Sequence, residues 1–219
     1  NHKQIAQEIT SKINPYDYFD AYLQHGFYPF FLEKRNFSEN LLKTMNMMME
    51  VDILLIKQIE PAYLTKIRKL LYLLVKDAPC TPNVSKLSQE INTSRATVVN
   101  YIKYLSDARL INVLYEEGEA FPKKPAKVYM HNPNLMQVVG EENINSQSLA
   151  ETFFCNALFK DHTVTKGQKG IHFIIDGEYS FKVGTIKYKK KESNVIYAED
   201  NIMIGEEKVV PLWMFGLLY

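Results

Sequence analysis

The chain has 219 residues, of which 46% are hydrophobic and 23% are charged, and its formal net charge is +1. This composition is ordinary for a globular protein of one large or two to three small domains, and the near-neutral balance argues against a general nucleic-acid coat or an acidic tail. No apolar stretch reaches the roughly 18 residues of a membrane helix and no secretory signal is found, so we expect a cytoplasmic protein without a membrane partner.

Residues 1–60 show the periodicity of several short helices. Ile5, Ile9 and Ile13 recur on one face of the first helix. Further along, leucine and methionine recur at helical spacing, as Leu41, Leu42, Met45, Met48 and Met49. Methionines at this spacing are more often core residues than the lining of a binding groove, so we expect them to be buried.

The segment from Pro82 to Ile111 predicts two helices joined by a tight polar turn. Asn92 suits the left-handed residue that ends the first helix, and Ser94 suits the cap of the second. The buried stripe of the second helix would consist of Val98, Ile102 and Leu105. An apolar helix before the pair would be its scaffold and would end at Asp77-Ala78-Pro79.

The chain then alternates through Val113 and Tyr115, turns through three glutamates and returns through three lysines, which predicts the basic hairpin of a winged helix-turn-helix over residues 61–131. Residues 61–130 contain 11 Lys or Arg and 6 Asp or Glu, a local charge of +5 that leaves −4 for the remainder. Long cations and an amide are side chains that reach phosphates and base edges. The predicted DNA contacts are Ser94, Arg95, Thr97, Asn100, Lys103, Lys123, Lys124 and Lys127.

Two interpretations of this unit stay open. Many winged domains bind protein rather than DNA, and the hairpin glutamates would repel phosphate if they lay beside the lysines. A protein-interaction module predicts that Tyr101 and Tyr104 join a buried surface, whereas a DNA-binding module predicts that the face from Arg95 to Lys103 is exposed to solvent.

Residues 132–219 predict a helix from Ser148 followed by a small sheet. The expected strands are His172 to Ile175, Tyr179 to Val183, Asn194 to Tyr197 and Val209 to Phe215. Asp176-Gly177 between the first two is a strong signal for a hairpin turn.

Catalytic motifs are scarce. A nucleotide hydrolase needs a glycine-rich loop that ends in Gly-Lys-Ser or Gly-Lys-Thr, and the chain has none. Glu151, Asp176 and Glu178 are the candidates for a two-carboxylate metal nuclease. Ser148 to Glu151 also reads as a capping box, however, and Asp176 as a turn residue. The scattered histidines and cysteines have no metal-ligand spacing, so we expect neither a catalytic residue nor a metal in this chain.

The order of these segments resembles the C-terminal half of bacterial AAA-type ATPases that carry a DUF4143 region, of the Bacteroidetes type. The resemblance covers nearly the whole chain and rests on the segments FDAYLQHGFYPFFLE, LSQEINTSRATVVNYIKYLSDARLI, KPAKVYMHNPNLM, LAETFFCNAL and VVPLWMFGLLY. It implies an α+β chain with a helical lid (1–60), a winged helix (61–131) and a small α/β domain resembling a degenerate PD-(D/E)XK nuclease fold (132–219).

By this resemblance the chain would be a non-catalytic C-terminal fragment of an ATPase, acting as a DNA-binding or regulatory module. The chain starts at Asn1 rather than at methionine, and an ATPase core that holds ATP and Mg²⁺ would lie upstream. Double-stranded DNA, that core and further copies of the chain are the expected partners, and this chain itself would hold no cofactor.

The nuclease-like part departs from the family pattern. Glu151 stands where the family has a helical glutamate, but Lys182 stands where the strand motif has an acid, and the lysine later in that motif is lost. Lys187 or Lys189 are the candidates to replace it. The resemblance therefore implies a scaffold for assembly or for positioning DNA, with residual metal-dependent nuclease activity as the weaker alternative.

Overall fold

The computed structural model describes residues 2–33, 36–140, 144–185 and 192–218, and it shows a mixed α+β architecture. The α-helices are α1 (His2–Thr10), α2 (Tyr16–Ala21), α3 (Phe37–Met48), α4 (Pro61–Asp77), α5 (Val84–Glu90), α6 (Arg95–Asp107), α7 (Pro133–Val139) and α8 (Ser146–Phe159). Helix α2 continues as π-helical turns over Tyr22–Gly26, and α3 continues likewise over Met49–Leu55. Two 3₁₀ helices cover Pro29–Glu33 and Leu212–Leu217.

Helices α4, α5 and α6 form a compact trihelical unit with the predicted boundaries. Asn92 has a φ of 47° after α5, and the ammonium groups of Lys66 and Lys69 donate to the carbonyls of Asn92 and Glu90 at the end of that helix. The Ser94 side chain caps α6, as predicted. The predicted apolar stripe of α6 is buried in one core with apolar residues of α4 and α5.

Strands β1 (Ile111–Leu114) and β2 (Lys127–Met130) form an antiparallel hairpin, with Ile111 opposite Met130. The predicted alternation of buried and exposed residues is wrong for β1, because both faces of the strand are covered. Val113 and Val128 pack into the helical core, whereas Leu114 and Tyr129 on the other face pack into a second core.

The second core joins α8, the C-terminal sheet and the N-terminal helices α1 and α2. Its interior is rich in aromatic residues, including Phe19, Phe153 and Phe154. On α1 the buried residue is Ala6, whereas Ile5 is 48% exposed. Segment 1–60 therefore contributes to both cores, since α3 packs into the first. Met45 and Met49 lie in that first core, as predicted.

The C-terminal sheet has the order β3-β4-β5-β6-β7. Its strands are β3 (Val164–Lys166), β4 (Phe173–Ile175), β5 (Tyr179–Gly184), β6 (Val195–Glu199) and β7 (Val209–Pro211). Strands β3, β4 and β5 pair antiparallel, whereas β6 pairs in parallel with both β5 and β7.

The Asp176-Gly177 turn joins β4 to β5 with both residues at positive φ, as the sequence predicts. Strand β3 was not predicted, and the predicted last strand is wrong beyond Pro211, where the chain turns into the 3₁₀ helix Leu212–Leu217. Within the described ranges, no helix combines the length and the apolar character that crossing a bilayer requires.

Candidate nucleic-acid interface

The start of α6 is fixed by its cap. The Ser94 hydroxyl oxygen accepts from the backbone N–H of Thr97 at 3.1 Å, and the two side-chain hydroxyls lie 2.8 Å apart. This cap satisfies an otherwise free N–H group and leaves Arg95, the first residue of the helix, exposed.

Arg95 and Asn100 of α6 line a cleft of about 360 Å³ together with Lys124 from the loop between β1 and β2. We call this the α6 cleft. The rest of its lining is apolar or small: Val84, Ser85, Ala96, Val99 and Pro122. No acidic side chain belongs to the described lining. The fold thus brings three of the predicted contact residues to one concave, cationic surface.

The other predicted contact residues have partners within the chain. Lys103 pairs with Asp107 one turn later, and Lys57 donates to the same carboxylate at 2.8 Å. Lys123 pairs with Glu119 at 2.7 Å. Asp107 and Glu119 partly neutralise these lysines, so the lysines contribute less positive potential than Lys124 and Arg95.

The hairpin glutamates are mostly directed away from the α6 cleft. Glu116 accepts from the Lys166 ammonium at 3.1 Å, and the Glu117 carboxylate lies near Gly177 of the β4–β5 turn. Glu119 is the glutamate that pairs with a hairpin lysine. The phosphate repulsion that the sequence suggests is therefore limited, because two of the three carboxylates face the C-terminal sheet.

The two halves of α6 differ in exposure. Arg95 and Asn100 near its start are exposed, whereas Tyr101 is buried and Tyr104 is half-buried. The tyrosines pack on the first core of the same chain, and the Lys57 ammonium lies 6.0 Å from the centre of the Tyr104 ring. The tyrosines are therefore covered by the chain itself, while the end with Arg95 is exposed to solvent.

Glu151 occupies a different, buried site. The predicted capping box is wrong, because Asn145 caps α8 by accepting from the Ser148 backbone N–H at 2.8 Å. Glu151 therefore lies in the second turn of α8, with 9% of its side chain exposed. Its carboxylate accepts from the Lys127 ammonium at 2.8 Å, the Tyr129 hydroxyl at 2.9 Å and the Gln147 amide at 3.0 Å. We call these four residues the Glu151 cluster.

The electrostatics of the cluster favour a charged carboxylate. Burial opposes ionisation of Glu151, but the Lys127 charge and the hydrogen bonds from Gln147 and Lys127 outweigh it and lower the carboxyl pKa. Burial and the neighbouring carboxylate raise the pKa of Tyr129 well above its ordinary range, so its hydroxyl stays a donor. Sequence periodicity cannot show this cluster, because its members come from β2 and α8.

Lys127 is thus held in a partly buried ion pair that joins the hairpin to α8. The Glu151 carboxylate neutralises the Lys127 ammonium, which therefore contributes little positive potential to the α6 cleft.

Asp176 lies apart from Glu151. Its carboxylate accepts from the Thr163 backbone N–H at 2.9 Å and lies 2.7 Å from His162 Nδ1, and these hydrogen bonds, that of His162 first, lower its pKa. Lys182 pairs with Glu192 at 2.5 Å, while Lys187 and Lys189 lie outside the described residues. In the part of the chain that the structure describes, no three His, Cys, Asp or Glu side chains are grouped as metal ligands would be.

Comparison with known families gives a match to a family model. The model of DUF8612, a domain of unknown function, matches residues 16–143, which include α2 to α7 and the β1–β2 hairpin. Neither curated proteins nor solved structures give a match. Since the matched residues make up more than half of the 219-residue chain, the protein belongs to the DUF8612 family.

Proposed function

We propose that this protein is a DNA-binding module in which α4, α5, α6 and the β1–β2 hairpin act as a winged helix-turn-helix. The observation that carries the proposal is the α6 cleft, where Arg95, Asn100 and Lys124 meet although they come from two separate elements. Arginine and asparagine form bidentate hydrogen bonds with base edges, and lysine neutralises phosphates.

The proposed roles of the three residues follow from the elements that carry them. Arg95 and Asn100 belong to a helix with an exposed first turn, which is the kind of element that enters a major groove. Lys124 belongs to the loop beside it and would contact the adjoining backbone. Base contacts confer specificity and phosphate contacts confer register, so the three residues have separable effects.

The proposal is tested by fluorescence anisotropy with a labelled random duplex. We expect Lys124→Ala and Arg95→Ala each to weaken binding by about three- to ten-fold at low salt, because each removes a charge from the cleft. Lys43→Ala is the matched control, since Lys43 is an exposed lysine on α3 that pairs with Glu39. Equal weakening by the control variant would refute the interface, and a wild-type chain that does not bind duplex would refute the function.

The resemblance to AAA-type ATPases supplies the wider context of the proposal. In that context the module couples nucleotide-driven motion of an ATPase core to DNA, and residues 132–219 retain a nuclease-like scaffold without its metal chemistry. The Lys127–Glu151 pair supports the loss of metal chemistry, since an ammonium already neutralises the helical glutamate. Cleavage of duplex DNA with Mg²⁺ that Glu151→Ala abolishes would instead favour the residual nuclease.

Assembly with another protein surface is the second candidate function, and one observation favours it. Met47, Val51 and Leu55 follow one another at four-residue spacing along α3 and its π-helical continuation, with exposures of 58%, 43% and 65%. Such a stripe is costly to leave in water. Light scattering after size exclusion tests self-association: an oligomer that Val51→Ser/Leu55→Ser dissociates supports it, and a monomer at every concentration excludes it.

A further inference from the structure

A second concave site lies at the other end of α6. It is a cavity of about 450 Å³ bordered by the ends of α6 and α8 and by the β1–β2 hairpin. We call it the Arg109 cavity. Helix α6 has 13 residues, so its ends are about 20 Å apart and this cavity is separate from the α6 cleft. Cavities of this size at the junction of packed units are common ligand sites.

Arg109 stands at a backbone position that favours glycine. Its φ is 54°, its N–H donates to the Ser106 carbonyl at 3.0 Å, and the Leu110 N–H donates to the Leu105 carbonyl at 3.0 Å. This is the hydrogen-bond pattern that ends many helices, and its left-handed residue is usually glycine. An arginine is therefore held here against the local backbone preference, at the edge of a cavity.

The polar part of the cavity is preorganised. Asn112 is 2% exposed, donates through its amide to the His131 carbonyl at 3.1 Å, and places its side-chain oxygen 3.1 Å from His131 Nδ1. Because that oxygen accepts, Nδ1 carries the proton and Nε2 is an acceptor. Burial and then the Arg109 charge lower the pKa of His131 to about 4, so the imidazole is neutral at neutral pH.

The charges around the cavity favour an anion. Arg109 and Lys160 are exposed cations on its border. Two carboxylates also border it: Asp107, which is already paired with Lys57 and Lys103, and the exposed Asp161. Because Lys57 and Lys103 neutralise Asp107, the border carries two cations against the single carboxylate of Asp161.

Apolar side chains complete the lining. Phe27 and Phe159 both border the cavity, and the Phe27 ring packs edge-on against the His131 ring at 5.7 Å between ring centres. Aromatic walls of this kind contact flat apolar groups. The site thus combines an apolar wall with convergent polar groups, as small-molecule sites do.

We propose that the Arg109 cavity binds a small organic anion, with its carboxylate or phosphate held by Arg109 and Lys160 and its flat apolar body against Phe27 and Phe159. A guanidinium is suited to both anions, because its parallel N–H groups match two oxygens of either. This inference does not depend on DNA binding.

The test is a calorimetric titration of the full chain with phenyl phosphate and with benzoate, alongside inorganic phosphate and benzyl alcohol. Phenyl phosphate and benzoate distinguish a phosphate from a carboxylate. Inorganic phosphate lacks the aromatic ring, and benzyl alcohol lacks the charge. We expect at least one aromatic anion to bind saturably, with a dissociation constant of about 1 mM or below, and at least five-fold more tightly than both controls. Absence of saturable binding by both aromatic anions would overturn the proposal.

The variant Arg109→Gly separates binding from folding. Glycine suits the positive φ, so we expect an unchanged or higher melting temperature together with at least ten-fold weaker anion binding. Lys160→Ala should weaken binding as well, and Lys124→Ala, in the α6 cleft, should leave it unchanged. Equal affinity in wild type, Arg109→Gly and Lys160→Ala would contradict the assigned site.

Discussion

Replacing Glu151 with alanine tests how the hairpin is held against the C-terminal unit. The substitution removes the acceptor of three donors: the Lys127 ammonium, the Tyr129 hydroxyl and the Gln147 amide. Loss of one partner from a buried ion pair costs about 3–5 kcal/mol. The Lys127 side chain is 24% exposed and reaches water in part, so we expect the lower end, about 3 kcal/mol of unfolding free energy.

Urea denaturation followed by circular dichroism measures this loss directly. Glu151→Gln keeps an oxygen acceptor but not the charge, and should lose about 1–2 kcal/mol. The double variant Lys127→Met/Glu151→Leu removes both charges and should recover part of the stability, because only the Tyr129 hydroxyl and the Gln147 amide then lack this acceptor. Glu39→Ala breaks an exposed pair with Lys43 and should have no measurable effect.

A loss of less than about 1 kcal/mol of unfolding free energy in Glu151→Ala would be in the range of an exposed ion pair. It would show that the Glu151 cluster does not hold the β1–β2 hairpin against α8. The same conclusion would follow if the double variant were less stable than Glu151→Ala, because the partners would then act independently.

Three further measurements probe other parts of the fold. Ser94→Ala removes the α6 cap and should lower the unfolding free energy by about 1 kcal/mol in urea denaturation, while Ser94→Asp should retain most of it. The pKa of His131 is about 4 in the folded chain and about 6.5 in the unfolded chain. The contribution of the neutral imidazole to the unfolding free energy is therefore complete above pH 6.5 and is lost as the pH falls towards 4. Stability curves should show about 1.4 kcal/mol per pH unit in that window, and His131→Gln should reduce the slope. Met45→Ala should cost about 2–4 kcal/mol by thermal or urea unfolding, whereas Met47→Ala, at an exposed position, should cost little.

Local signals explain which parts of the structure the sequence predicts. Asn92 and Ser94 mark the end of α5 and the start of α6 through backbone conformation and capping, which depend on a few neighbouring residues. The Asp176-Gly177 turn is predictable for the same reason. The stripe of α6 also emerges correctly, because helical spacing and burial agree there.

The mistaken predictions concern contacts between distant segments. The β1 strand is buried on both faces because α8 and the C-terminal sheet cover the face that a free hairpin would expose. Glu151 has the spacing of a capping residue, but Asn145 starts the helix three residues earlier than Ser148. The apolar run after Val209 resembles a strand, yet past Pro211 it forms a 3₁₀ helix that packs on α8 and the second core.

The candidate site was predictable in composition but not in arrangement. Sequence alone identifies Arg95, Asn100 and Lys124 as cations or amides of suitable chemistry, together with Lys103, Lys123 and other residues of the same kind. Nothing in the sequence separates those that meet in one cleft from those paired with Asp107, Glu119 or Glu151, because the pairing depends on the tertiary fold.

The salt dependence of duplex binding is the most direct test of DNA recognition through the α6 cleft. The logarithm of the binding constant should fall linearly with the logarithm of salt concentration, and Lys124→Ala should reduce the magnitude of that slope by about 0.9, the value for one phosphate contact. Lys43→Ala should leave the slope unchanged. Binding that is absent at about 50 mM salt, or a slope that Lys124→Ala does not alter, would contradict the proposed interface.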